Sequence, residues 1–425
     1  VPSLQISPIR FHLDHPAEWD ELPRQLTIRG WGFFPKKGPT TAIRAFVGHQ
    51  VINATIGHHR PDVRSADGEA PNEFTGFQIS TKTPSGKFEV ILQLRTDNTD
   101  WNTFFRCDAR SSRWRLPFAL GGGSNAELLN SQLTLTPQHR PRKIRADHLP
   151  SFASPTPRLP KLSIVTPSFN QGSWLACCIQ SVAAATEPGI EHLVRDGGSS
   201  DQTIAVLKAE EPHLHSWVSQ SDAGQAAAIA AGFAETMGDD DDLMAWINAD
   251  DHYLPGALPF VRRFFAKHPT IDVLYGNRVL INETGDEIGR WHLPPHDDEV
   301  LKLYDFVPQE TLFWRRRIWN KVSGIDPTFH FALDWDLLLR FQAGGAKMLH
   351  VPRFLAAFRI HPHQKSAAQI GSVGQSEIDQ LRLRTWGREV TATDLINSPV
   401  IEAYLRQSAR RQLAAQIGLR PSLPS

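Results

Sequence analysis

The sequence predicts an α/β protein built on a doubly wound, mostly parallel sheet, preceded by a small all-β domain of β-sandwich type and followed by a helical tail. Two patterns and the length carry this expectation. Up to about residue 120, apolar and polar residues alternate with period two between closely spaced turns, the pattern of half-buried strands. From residue 161, short apolar runs that end in polar loops alternate with helical stretches, the pattern of strands crossed over by helices. A chain of 425 residues is also too long for one ordinary core. The predicted boundaries are 1–120 for the β domain, 121–160 for a linker, 161–373 for the α/β domain and 374–425 for the tail.

Charge and cysteine content narrow the class. Lys+Arg and Asp+Glu both total 45, so no excess of positive charge points to nucleic acid, and any anion site must come from local arrangement. Three cysteines, two of them adjacent (Cys177, Cys178), build neither a disulfide framework nor a zinc site, which fits a reducing compartment. No run approaches the roughly 18 apolar residues of a membrane span, and no secretory leader is visible. The chain begins at Val1, so this reading leaves room for a leader or further domains. The Asn53-Ala-Thr55 sequon is then read as chance.

In the front domain Ile43, Ala45 and Val47 alternate, as do Phe88, Val90, Leu92 and Leu94, while Lys37-Gly-Pro39 and Pro84-Ser-Gly86 break the runs. Gly30-Trp-Gly-Phe-Phe-Pro35 and Arg60-Pro-Asp-Val63 stand out without chemistry of their own. The domain is expected to serve as a packing or partner module, with carbohydrate binding through Trp31 or Trp101 as the other reading. The linker opens on Gly121-Gly-Gly-Ser124 and stiffens through Pro150, Pro155, Pro157 and Pro160. Its basic patch, His139-Arg-Pro-Arg-Lys-Ile-Arg145, is expected to be a solvated surface.

The α/β domain starts with Leu162-Ser-Ile-Val165, ending in Thr166-Pro-Ser-Phe-Asn-Gln-Gly172. A second strand, Ile190 to Val194, ends in Arg195-Asp-Gly-Gly-Ser-Ser-Asp201, and a third, at Trp217, leads to Ser221-Asp-Ala-Gly-Gln225. The run Asp239–Asp242 is expected to be a solvated loop. A fourth strand, Leu243 to Ile247, runs into Asn248-Ala-Asp-Asp251. In open α/β sheets ligands bind at the carboxyl ends of the strands, so these loops share one rim. Two adjacent carboxylates there suit a hard divalent cation, and through it a phosphate. Gly197 and Gly198 let backbone come close to a ligand. Asp222 and Gln225 either touch a nucleotide or cap the helix that follows.

The four loops, in this order and spacing, resemble the nucleotide-sugar half of family 2 glycosyltransferases of the GT-A fold, over roughly residues 162 to 366. The resemblance implies that Asp196 holds the base and that Thr166, Pro167 and Phe169 line the nucleoside pocket. Asn248-Ala-Asp250 matches the family's Asp-x-Asp element, with Asn248 a departure at a ribose contact. Asp250 is then the main metal ligand and Asp251 its neighbour, for Mn2+ or Mg2+ bound with a nucleotide-sugar donor, a UDP-sugar first. Val307-Pro-Gln-Glu-Thr-Leu-Phe-Trp-Arg315 resembles the acceptor-side segment. In Phe331-Ala-Leu-Asp-Trp-Asp336, Asp334 matches the general base of inverting relatives and Asp336 a structural support. Phe358-Arg-Ile-His361 resembles an Arg-x-His element that closes over the diphosphate, which makes His361 a third metal ligand or a phosphate contact, with Lys365 adding positive charge to the donor site.

The resemblance therefore implies a cytoplasmic, metal-dependent, inverting glycosyltransferase of hexosyltransferase type, acting on a saccharide or lipid-linked acceptor in cell-surface glycan (polysaccharide) synthesis. An inactive nucleotide- or glycan-binding scaffold on the same fold is the alternative. A nucleotidyltransferase is disfavoured, since no glycine-rich phosphate loop with a following basic residue is seen near the first strand. The tail, basic in places as in Tyr404-Leu-Arg-Gln-Ser-Ala-Arg-Arg411, is expected to pack on the catalytic domain. Peripheral contact with the inner face of the plasma membrane and homo-oligomerisation stay open.

Overall fold

The computed structural model describes residues 9–110 apart from short stretches within 17–24, 36–37, 61, 64–69, 73, 85–86 and 98–99, most of 135–149, all of 158–362, residue 364, and most of 373–423. The chain divides into two compact units, Val1–Leu116 and Pro117–Ser425.

The described residues of the first unit form eight strands: β1 (Arg10–His15), β2 (Gln25–Phe33), β3 (Ala42–Val47), β4 (Gln50–Asn53), β5 (Thr55–His58), β6 (Gly76–Lys82), β7 (Lys87–Arg95) and β8 (Asn102–Arg110). They form two four-stranded sheets, in the orders β1-β2-β6-β5 and β4-β3-β7-β8, and every pairing is antiparallel. The alternating residues point inward as expected. Leu26, Ile28, Phe77 and Ile79 of one sheet meet Ile43, Ala45, Val47, Val90, Leu92 and Leu94 of the other in a single core, which makes a sandwich. The two unexplained motifs are packing devices. Gly30 passes so close to the His12 carbonyl that a Cβ would come within 2.2 Å of it. Val63 is buried against Phe33, and Arg60 ties Asp62 to Asp14 on β1, at 2.8 and 2.6 Å.

The second unit is organised by a nine-stranded sheet of β9 (Leu162–Ser168), β10 (Ile190–Asp196), β11 (Ser216–Ser219), β12 (Leu243–Trp246), β13 (His252–Tyr253), β14 (Val273–Ile281), β15 (Glu287–Trp291), β16 (Phe313–Arg315) and β17 (Met348–Arg359). Its order is β11-β10-β9-β12-β16-β14-β17-β13, with β15 added beside β14. The first four strands are parallel, so their carboxyl ends share a rim. Beyond β12 the sheet is mixed, because β16 enters antiparallel to both β12 and β14. Helices α1 (Gly172–Ala183), α2 (Thr203–Glu210), α3 (Gln225–Ala234) and α4 (Ala257–Lys267) cover the parallel half. The helices α5 (Leu333–Ala343), α6 (Gln375–Trp386) and α7 (Pro399–Gln416) belong to the other half. Tyr404 of α7 and Leu381 of α6 join the same core as Trp335 and Leu337 of α5, so the tail packs on the catalytic fold. No helix among the described residues is long and apolar enough to cross a membrane.

Two expectations about surface charge hold only in part, since both stretches are mostly exposed yet tied to the fold. The Asp239–Asp242 run is not simply solvated: Asp242 is buried and accepts from the Lys161 and Asp239 amides, both at 2.8 Å. Arg315 and Arg317 hold the same loop, through the Asp241 carbonyl and the Asp241 carboxylate. The basic patch is not free either. Arg142 and His139 lie 2.6 and 3.3 Å from Glu287, a carboxylate with no exposed surface that Arg290 also reaches. Arg142 pairs with Glu287 along the backbone too, so this segment covers the outer edge of β15, and Ile144 packs beside Val279 and Phe354.

Helix α3 lies tight on β9 because Gly232 faces Val165, where a Cβ would stand 2.6 Å from Cγ1. Overpacking of this kind costs about 1–3 kcal/mol, more than the helix propensity that a non-glycine residue returns. Gly232→Val is therefore expected to lower unfolding stability by about 2 kcal/mol in urea titration with an unchanged slope.

Candidate active site

The parallel half delivers one exposed ring and several carboxylates to the rim. Phe169 stands just past β9 and is 62% exposed, high for an aromatic side chain. A Cβ at Gly197 would lie 3.4 Å from the Phe169 ring and 3.3 Å from the Asp222 carboxylate, so ring and carboxylate face one another across a bare backbone. Asp222 is exposed and accepts from the Gly224 amide at 2.8 Å, which leaves carboxylate capacity for another donor.

Three sequence expectations fail to reach this pocket directly. Thr166 and Pro167 are buried within β9. The Thr166 hydroxyl is 2.8 Å from His192 Nε2, so it ties two strands together and meets no solvent. Asp196, 2% exposed, spends its carboxylate inside its own turn. It accepts from the Gly198 and Ser199 amides at 3.2 and 2.9 Å and from the Ser199 and Ser219 hydroxyls, both at 2.5 Å. Its role here is to shape the loop that presents Gly197. Burial and saturation remove these groups as contacts in this conformation.

At the end of β12 the geometry gathers the remaining predictions. Gln225 Nε2 donates to Asn248 Oδ1 at 2.8 Å, and Asn248 Nδ2 donates to Gln309 Oε1 at 3.2 Å. Gln309 in turn donates to the Trp246 carbonyl at 2.9 Å, fixing the strand end against the acceptor-side segment. Asp250 Oδ2 lies 2.9 Å from His361 Nε2. That pairing depends on β17: Arg359, buried, donates to the carbonyls of Asp250, Asn282 and Glu283 at 2.8, 3.0 and 3.0 Å, and its own amide donates to Asp251 Oδ1 at 2.9 Å. Trp174 at the start of α1 packs on the His361 ring with centroids 4.3 Å apart. Asp251 Oδ2 and His361 Nδ1 are buried without a hydrogen-bond partner among the described residues. Burial pushes the Asp251 carboxyl well above the usual carboxylate range, and Asp250 and Glu310 add to it. Among the described residues no three His, Cys, Asp or Glu side chains group closely enough to hold a metal by themselves. Lys365 lies outside the described residues.

The second half brings Asp334 to the first turn of α5, where its carboxylate accepts from the Trp335 amide at 3.0 Å. Asp305 is its neighbour: burial, then the Asp334 charge, push the Asp305 carboxyl well above its usual range. Arg278 sits behind them, bidentate to Glu310 at 2.7 and 2.6 Å and stacked between Trp291 and Phe358 at 4.8 and 4.3 Å. Asp336, fully buried, is held by Arg340 and Arg384 at 2.6 and 2.7 Å. Sequence reasoning assigned no role to Gln309, Asp305, Arg359 or Trp174. Arg359 had a local signal as the first residue of the Arg-x-His element, and Gln309 as part of the acceptor-side segment.

Comparison with known proteins gives the family. The model of the family described as glycosyl transferase family 2 matches residues 163–331. An uncharacterised glycosyltransferase of Mycobacterium tuberculosis is 30% identical over 185 residues, 43% of this chain and 68% of that protein. The chain belongs to glycosyltransferase family 2. A second uncharacterised glycosyltransferase, of a Nostoc strain, is 24% identical over 233 residues, 51% of this chain and 70% of that protein. A mannosyltransferase from Pyrobaculum calidifontis superposes with a TM-score of 0.43 at 14% identity, covering 70% of this chain and 83% of the other. The family match spans the Phe169, Asp222 and Asp250 loops and stops before Asp334 and His361.

One buried group of this glycosyltransferase sets an acid limit. Burial lowers the His192 pKa from 6.5 to about 3, so the folded state resists protonation that the unfolded chain accepts. Its contribution is complete above pH 6.5 and is lost as pH falls from there toward 3. At pH 5 the loss is about 2 kcal/mol. Melting temperatures of wild type and His192→Gln measured from pH 7.5 to 5 should show the shallower decline in the variant.

Proposed function

We propose that the enzyme is an inverting, metal-dependent transferase that moves a sugar from a nucleoside diphosphate donor to a saccharide or lipid-linked acceptor in cell-surface glycan synthesis, at the cytoplasmic side. A UDP-sugar is the first donor candidate. The observation that carries this reading is the contact between Asp250 and His361, two groups 111 residues apart that meet at 2.9 Å on the rim.

The donor set suits a divalent cation. Asp250 offers hard oxygen and His361 an imidazole nitrogen, with the buried Asp251 behind them; two protein ligands leave the remaining positions for diphosphate oxygens and water, as is usual for Mg2+ and Mn2+ bound with nucleotides. When bound, such a cation neutralises charge that develops on the leaving diphosphate. The chain's own groups do the rest. Phe169 stacks on the base, and the Asp222 carboxylate with the Gly197 backbone reads its edge. Asn248, oriented by Gln225 and Gln309, reaches the ribose. Arg359 fixes the Asp250 loop. Asp334 takes the proton from the acceptor hydroxyl as it attacks the anomeric carbon opposite the diphosphate, which inverts that centre. The raised Asp305 carboxyl beside it keeps the local negative charge from doubling.

A thermal-shift series with UDP, GDP, dTDP and CDP, with and without Mn2+, tests the donor half. A ligand that binds only the folded state raises the melting temperature by mass action. One nucleotide should do so only with Mn2+, and Asp250→Ala should lose that metal-dependent gain. No shift with any of the four would sink the reading. Asp334→Asn should keep the shift and lose about 10²-fold or more in transfer.

A further inference from the structure

The helix that carries Asp334 begins without a capping side chain of its own. Ala332 occupies the cap position and makes no side-chain hydrogen bond, and the first amides of a helix have no partner within it. The three amides that lead into it, those of His330, Phe331 and the cap residue Ala332, find a partner at least 45 residues away. Glu377, a buried residue of α6, accepts from the His330, Phe331 and Ala332 amides at 2.7, 2.8 and 2.8 Å. A carboxylate taking three main-chain donors is a strong anchor for the turn that leads into the helix.

The same helix grips both walls around Asp334. Arg384 reaches the buried Asp336 at 2.7 Å, two residues beyond Asp334. On the other wall Trp386 Nε1 donates to the Lys302 carbonyl at 3.0 Å and Arg382 Nε to the Leu303 carbonyl at 3.3 Å, just ahead of Asp305. Gly374 lies so close to the Phe331 ring that a Cβ there would come within 2.9 Å. The family match ends at residue 331, so Glu377, Arg382, Arg384 and Trp386 lie beyond it while the Lys302, Leu303, His330 and Phe331 groups they hold lie inside it.

We propose that Glu377 is a positioning residue for sugar transfer: from the tail it sets the main chain at the start of α5 and so aims the Asp334 carboxylate at the acceptor. This rests on Asp334 being the base. A cap that merely held the fold together would act on stability and on donor binding alike. A positioning residue acts on turnover alone, and small misplacement of a catalytic group costs one to two orders of magnitude.

The test compares wild type, Glu377→Ala, Glu377→Gln, Arg384→Ala and Asp334→Asn. The readings are melting temperature, Kd for UDP and GDP with Mn2+, and nucleoside diphosphate release from UDP-glucose, UDP-N-acetylglucosamine and GDP-mannose, in water and with mixed methyl glycosides as acceptors. Glu377→Gln, which keeps the shape and one acceptor oxygen, should lose about tenfold in turnover with nucleotide Kd within twofold of wild type. Glu377→Ala should lose more, and Arg384→Ala less. If Glu377→Ala does not fold, the Gln variant decides. Wild-type turnover in Glu377→Gln beside an inactive Asp334→Asn overturns the proposal. So does a loss of nucleotide binding that matches the loss of turnover. An Asp334→Asn enzyme as active as wild type is a different failure: it removes the base assignment, and the positioning role with it.

Discussion

Two adjacent carboxylates at the mouth of a buried strand are the constraint on which the rest of the catalytic unit depends. Asp250 and Asp251 sit among apolar residues at the end of β12, where like charges cannot simply be left to repel in low dielectric. The fold answers with the last residues of β17. Arg359 anchors the loop through main-chain oxygens, its amide takes one Asp251 oxygen, and His361 meets Asp250. Because β17 must run beside β14 to arrive there, the mixed half of the sheet is as necessary to the site as the parallel half.

The second half manages its own charge in a comparable way. Arg278 is fully paired with Glu310 and enclosed by two rings, so it adds no free cation to the groove. Burial, and then the Asp334 charge, push the Asp305 carboxyl up.

Much of this was legible in the sequence because it is local. Alternation at Ile43, Ala45 and Val47 predicts which side chains fill the sandwich, and polar loops after short apolar runs place the rim. Side-chain burial at a strand end was not legible. Thr166 and Phe169 stand three residues apart in one motif, yet one ties β9 to β10 and the other is open to solvent. Charge was read only in part for a related reason: Asp242 looks like a surface residue until the distant Lys161 amide comes to it, and Arg142, though exposed, is paired with the distant Glu287. Glu377 is the extreme case. In sequence it is an ordinary helix carboxylate, and its meaning resides in three amides that no pattern near it announces.

The segment from Gln138 to Arg145 also changes what counts as the catalytic unit. Arg142 supplies part of the positive charge around Glu287, and the segment's backbone occupies the β15 edge. A fragment cut at the start of β9 would keep every residue of the family match, yet leave a buried carboxylate short of counterions beside a bare strand edge. The smallest piece that folds cleanly therefore begins upstream of Gln138, inside what composition alone marks as a tether.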